Sequence, residues 1–244
     1  MTTSLALDTP IGYLVAERPG LARVFDRLGI DYCCGGRATL IQACAEKGID
    51  IREIVRELDS DDAQSLERDG SDGSTIATLG ELVDHVVETH HAYLRRELPR
   101  LAVLSDKVSA AHATAHPELL ELHDVFADLK GDLELHMLKE EKVLFPLIKK
   151  LEAATMSGLT DASVSNPIHM MEHEHASAGH ALQRMRALTG GYAAPPDACA
   201  SYHALLQGMA DLEADLHQHV HKENNVLFAR ASALEADMLL AARR

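Results

Sequence analysis

Two short segments restrict what this chain can become: His136-Met-Leu-Lys-Glu140 and His219-Val-His-Lys-Glu223. In each, a histidine precedes a glutamate by four residues, so on a helix the two side chains share one face, a single turn apart. An apolar run follows at once, Val143-Leu144-Phe145 in the first case and Val226-Leu227-Phe228 in the second. One chelating device is used twice, and the fold must give both copies the same kind of surroundings.

The periodicity around them says which face they occupy. A helix packed in a bundle buries positions spaced alternately by three and four. One run reads Leu119, Leu122, Phe126, Leu129, Leu133, His136, Glu140, Val143 and Leu147. Another reads Tyr202, Leu205, Met209, Leu212, Leu216, His219, Glu223 and Val226. A third places His175 in the stripe Ile168, Met171, His175, Ala178, Leu182 and Met185, leaving His169, His173 and His180 off it. The first helix gives Val83, Val87, His91, Leu94, Leu98 and Leu101, with His90 beside that stripe through Val86. Each helix therefore brings one histidine to the core.

The helix ends are marked in the sequence. The first opens at the capping box Thr78 to Glu81, and the second at Pro117 in the favoured first-turn position. The third opens at Asn166-Pro167 and closes at Gly190-Gly191, and the fourth follows Pro195-Pro196-Asp197. Short connections favour antiparallel neighbours, so the expected architecture is all-α, an up-down-up-down four-helix bundle over residues 77–244. Aromatic residues make up only 4% of the 244, which suits an aliphatic helical core.

Upstream lies different material. Apolar residues at helical spacing, broken by Pro19-Gly20, predict a small helical domain over residues 1–58. It contains the turn Gly29 to Gly36 with adjacent Cys33 and Cys34, a helix from Thr39 to Lys47, and a capping box at Asp50 and Glu53. Residues 59–76 are acidic and Gly/Ser-rich, as a linker is.

Composition excludes several classes. A net charge of −15 argues against nucleic acid, because phosphate neutralisation needs clustered Lys and Arg. No stretch approaches the ~18 uninterrupted apolar residues of a membrane span, and no signal peptide is evident at the start. Four cysteines with no spaced framework point to a reducing cytoplasm.

Two glutamates and four histidines in one aliphatic layer need a counter-charge, since an isolated buried carboxylate costs several kcal/mol even after relaxation. Two divalent metals supply it. With both carboxylates bridging, each ion receives two imidazoles and two carboxylate oxygens, and a bridging oxo or hydroxo group adds a fifth ligand. Imidazole and carboxylate without thiolate, at coordination above four, favour iron or manganese over structural zinc. The expected centre is two iron ions held by His91, His136, Glu140, His175, His219 and Glu223. The remaining histidines are expected at the surface, with His217 and His221 a weaker chelating pair. Cys33 and Cys34 are candidates for thiol transfer, because a bridge between neighbours would be strained. Cys44 and Cys199 are expected to be inert core residues.

The set His91, His136 with Glu140, His175, and His219 with Glu223 resembles the hemerythrin-like domains. Joined to the turn Asp31-Tyr-Cys-Cys-Gly-Gly36 and the run Glu223-Asn-Asn-Val-Leu-Phe228, it resembles the iron-sulfur cluster repair di-iron proteins, the repair-of-iron-centres family. The oxygen-carrying hemerythrins have a second histidine one turn after the third-helix ligand; here that position is Gly179. The resemblance implies a stress-response protein that restores clusters damaged by nitric oxide or peroxide, donating iron or electrons to client proteins rather than acting as an enzyme. It also implies a homodimer. Two other functions fit the same centre: an oxidoreductase reducing nitric oxide or peroxide, and an oxygen or nitric oxide sensor.

Overall fold

The computed structural model describes residues 7–52, 54–56, 78–154 and 163–242. Among them helix is the only extended regular structure, with no strand and one isolated bridge between Pro10 and Thr39. The expected linker at 59–76, Glu53 and the end of the helix expected to reach Leu58 lie outside the described residues. No helix among those described is long and apolar enough to cross a membrane. The chain divides into two compact units, residues 1–78 with 217–230, and residues 79–216 with 231–244.

The first unit holds α1 (Ile11–Glu17), α2 (Leu21–Leu28), α3 (Leu40–Lys47) and helical residues at 51–52 and 54–56. Each boundary has a local cause. Gly29 and Gly48 end α2 and α3 in the left-handed region, at φ 65° and 66°, where a Cβ would be strained. Thr39 and Gln42 form a reciprocal capping box at the start of α3. Asp50 accepts the Arg52 N–H at 2.9 Å. The core comprises Ile11, Val24, Phe25, Tyr32, Leu40 and Ile54 together with Val220 from the 217–230 stretch.

The second unit is built from four helical runs. The first is α4 (Leu79–Val86), a π-helical turn Val87–His91, and α5 (Ala92–His112). The second is α6 (Glu118–Lys139), a π turn Glu140–Leu144, and α7 (Phe145–Ala154). The third is α8 (Ser165–Leu188). The fourth is α9 (Ala200–His221), a π turn Lys222–Leu227, and α10 (Phe228–Ala242), its middle counted with the first unit.

End-to-end contacts fix the directions. Glu152, late in the second run, accepts the Leu79 and Gly80 N–H groups at the start of the first, at 2.7 and 2.9 Å. Arg184 near the end of α8 pairs with Glu121 near the start of α6. Glu235 in α10 accepts the Val164 N–H at 2.9 Å, just before α8 begins. Successive runs are therefore antiparallel, an up-down-up-down bundle. Its core is aliphatic, with Leu94, Leu98, Phe126, Leu129, Leu182, Met209 and Leu212 among its buried members.

The π turns correct the uniform helical register. A π turn carries one residue more than an α turn, so every position beyond it rotates by roughly 100°. Val143 and Leu147, expected in the core, are 51% exposed and half-buried, while Leu144 and Ile148 take their places at 1% and 0%. In the first run Val87 is half-buried and Val86 buried, and in the fourth Val226 gives way to Leu227. Leu144→Ala should therefore cost about 2–5 kcal/mol in chemical denaturation, and Val143→Ala no more than about 0.5 kcal/mol. The reverse ranking would restore a uninterrupted α register.

Candidate metal centre

Each of the three π turns contains or adjoins a candidate ligand. His91 closes the first, Glu140 opens the second, and Glu223 lies in the third. Inserted residues of this kind recur at functional sites because they re-aim a side chain without ending the helix.

In the second unit, His91, His136, Glu140 and His175 converge, all at 3% exposure or less. His91 Nε2 lies 3.3 Å and His136 Nε2 3.4 Å from Glu140 Oε2. His175 Nε2 faces His136 Nε2 at 2.9 Å. In the 217–230 stretch, His219 Nε2 lies 3.1 Å from Glu223 Oε1, both side chains essentially inaccessible.

The opposite edges of two imidazoles are engaged by acidic residues that the apolar stripe did not reveal. Glu141 is 2.7 Å from His91 Nδ1 and also pairs with Arg95. Glu174 is 2.9 Å from His136 Nδ1 and 2.6 Å from Lys139 Nζ. Partial burial pushes both carboxyls up, but hydrogen bonds from His91 and Arg95 to Glu141, and from Lys139 and His136 to Glu174, hold them below the usual range. An ionised carboxylate on Nδ1 fixes the proton there and leaves Nε2 as a lone-pair donor pointing inward. The sequence does carry a signal, an acidic residue immediately after Glu140 and another immediately before His175.

The donor set fits a metal. Both carboxylate oxygens of Glu140 are buried with no hydrogen-bond partner among the described residues, a costly state for an ion left alone. In the second unit His91, His136, Glu140 and His175 offer three imidazoles and a carboxylate, and in the 217–230 stretch His219 and Glu223 offer one of each; all six are buried, and neither set includes a thiol.

His90 is buried too, but its Nδ1 pairs with Asp215 at 3.0 Å. Its neighbour His91 instead faces Glu140, its Nε2 3.3 Å from Oε2. His221 is buried rather than at the surface, and burial pushes its imidazolium down to about 4. Its ring packs edge-on against Tyr32, as does that of His217, whose Nδ1 is 2.7 Å from Asp26 Oδ1. Those two histidines pack against the first unit's tyrosine instead of forming a surface chelate.

Cys33 is buried and Cys34 half-buried, their sulfurs 3.9 Å apart. The hydrogen bond to Cys34 and burial push the Cys33 thiol up. Cys44 is a core residue. Cys199 is not: it is exposed, immediately before α9. Backbone N–H donation from Tyr202 and a 3.2 Å contact with His112 Nε2 bring its thiol down to about 7.

Two predictions follow from this geometry. Glu141→Gln and Glu174→Gln should each lower metal affinity roughly 10- to 100-fold in chelator competition; unchanged affinity would remove their orienting role. Cys199, with its pKa lowered to about 7, should alkylate rapidly at and above pH 7 and slow as pH falls below that value. Peptide-resolved labelling should show Cys44 lagging throughout.

Residues 82–231 match the hemerythrin HHE cation binding domain, and residues 7–62 match ScdA_N, a domain of unknown function (DUF542). The chain belongs to the hemerythrin HHE cation-binding family. Within it, the chain is similar to the proteins named iron-sulfur cluster repair protein YtfE of Escherichia coli O157:H7, Citrobacter koseri and Shigella boydii serotype 4. Each is 36% identical over 228 residues, covering 93% of this chain and 98% of the relative.

Proposed function

We propose that this is a di-iron protein of iron-sulfur cluster repair, donating iron or electrons to proteins whose clusters have been damaged by oxidative or nitrosative stress in the cytoplasm. The observation that carries the reading is the buried Glu140 carboxylate, which has no hydrogen-bond partner among the described residues and faces the imidazoles of His91 and His136, taken with what the relatives are named for. His91, His136, His175 and His219 would each offer one imidazole nitrogen, and Glu140 and Glu223 their carboxylates, to hold the two irons. When bound, two irons joined by an oxo or hydroxo group supply redox-active, exchangeable metal.

The chain's own residues favour release over tight retention. Two imidazoles and two carboxylates per ion leave coordination positions unfilled, and Gly179 offers no side-chain donor where oxygen-carrying relatives have a histidine. Glu141 and Glu174 hold His91 and His136 in the tautomers whose Nε2 carries the lone pair. Cys33 and Cys34 take the thiol role in transfer, in a domain of residues 1–58 linked through 59–76 to the bundle of 77–244.

Purified protein should hold about two irons per chain and show oxo-bridge absorption, both lost in Glu140→Ala. The reduced iron-loaded form should transfer iron to an apo-cluster acceptor, and the double variant Glu140→Ala, Glu223→Ala should not. Rapid turnover of nitric oxide or peroxide with no transfer would replace this function by the oxidoreductase.

A further inference from the structure

The turn that bears the paired cysteines contains a second donor group. Asp31 Oδ1 accepts the backbone N–H of Cys33 at 3.1 Å and of Cys34 at 2.9 Å. The same oxygen is 3.2 Å from Cys33 Sγ, and Cys33 Sγ is 3.9 Å from Cys34 Sγ. A carboxylate oxygen and two sulfurs thus lie within 4.8 Å of one another.

We propose that Asp31, Cys33 and Cys34 form a mononuclear site for one divalent transition-metal ion, separate from the histidine–glutamate centre. The spacing matches the coordination geometry. Two sulfurs each about 2.3 Å from a tetrahedral ion stand about 3.8 Å apart, and a sulfur and a carboxylate oxygen about 3.5 Å apart. The observed 3.9 and 3.2 Å each lie within a few tenths of an ångström of these values, and the third pair is within 4.8 Å. A disulfide would need the sulfurs to close to about 2.05 Å on residues whose Cα atoms lie only about 3.8 Å apart. The turn is shaped for a shared ion and against the bond.

The frame of this site is held by the 217–230 stretch of the same unit. Asn225 Nδ2 donates to the Cys33 carbonyl at 3.0 Å and to that of Tyr32 at 3.4 Å, and Asn224 Nδ2 reaches the Cys33 carbonyl at 3.4 Å. Glycines make the insertion feasible, since a Cβ on Gly12 or Gly36 would come within 2.3 or 2.4 Å of Asn225 Oδ1. The π turn that carries Glu223 thereby also sets the backbone from which both thiols project. Binding replaces two thiol protons by one cation, releasing two protons and forming two metal–sulfur bonds, with no change of oxidation state. Thiolate with a single carboxylate suits Fe2+ or Zn2+ over Mg2+ or Ca2+. The choice of Fe2+ as the natural occupant rests on the repair reading; the site itself does not.

The test uses the full iron-loaded chain titrated with Co2+ under anaerobic, thiol-free conditions. One further Co2+ per chain should bind with a thiolate-to-cobalt charge-transfer band. Cys33→Ser and Cys34→Ser should each abolish the band, Asp31→Asn should weaken binding at least tenfold, and Cys199→Ser should leave it intact. Absence of the band in the unsubstituted chain, or its persistence in Cys33→Ser, would overturn the site. Should the serine variants fail to fold, the unsubstituted chain still decides: Co2+ must slow alkylation of Cys33 and Cys34, and equal rates with and without it reject the proposal. Iron retained by the bundle is measured in the same samples. A positive cobalt result with no iron transfer to an apo acceptor would therefore count against the repair function alone.

Discussion

Taking the Glu140 carboxylate out of water is the constraint to which much of the second unit answers. Its two oxygens are inaccessible and make no hydrogen bond among the described residues, so several kcal/mol of desolvation stand uncompensated by protein donors. Imidazole nitrogens approach it from two other positions instead, His91 and His136. Those imidazoles are in turn held from behind by Glu141 and Glu174, and these by Arg95 and Lys139 at the surface. Acidic and basic side chains therefore alternate outward from the core, each held by the next.

Much of this was legible in the residues. The number of long helices, their boundaries and the inward histidine on each could be read because a stripe of Leu and Met at alternating three and four spacing tolerates few interpretations. The expectation of a cation came from the same positions, since two buried carboxylates in an aliphatic core must either stay protonated or meet a counter-charge. What escaped had physical causes. A single helical period cannot reveal a π turn, so Val143 and Leu147 looked like core residues and Leu144 and Ile148 did not. Glu141 and Glu174 sit off the stripe, where an acidic side chain resembles an ordinary solvated one. Cys199 looked like part of a helix, but α9 begins one residue later, leaving its thiol exposed at a helix start.

In the first unit the decisive features are small. Asn225 is half-buried and unremarkable in a periodicity plot, yet it fastens the Tyr32 and Cys33 carbonyls. Its seat exists only because Gly12 and Gly36 lack side chains. Gly36, just after the cysteines, thus admits a side chain that comes from nearly two hundred residues further along the chain.

The π turn at Glu140–Leu144 has one more consequence. The chain beyond it carries two complete apolar stripes, Val143 with Leu147 and Leu144 with Ile148, offset by one residue like the two scales of a vernier. The bundle reads the second scale because the extra residue is present. Deleting one residue between Glu140 and Leu144 would leave an ordinary helix of equal hydrophobicity, and that helix would still have an apolar face to bury. A length change of one residue is therefore nearly silent for the core. Its effect falls on how Glu140 is aimed, so the exact residue count in these turns is a property of the metal site and not of the fold.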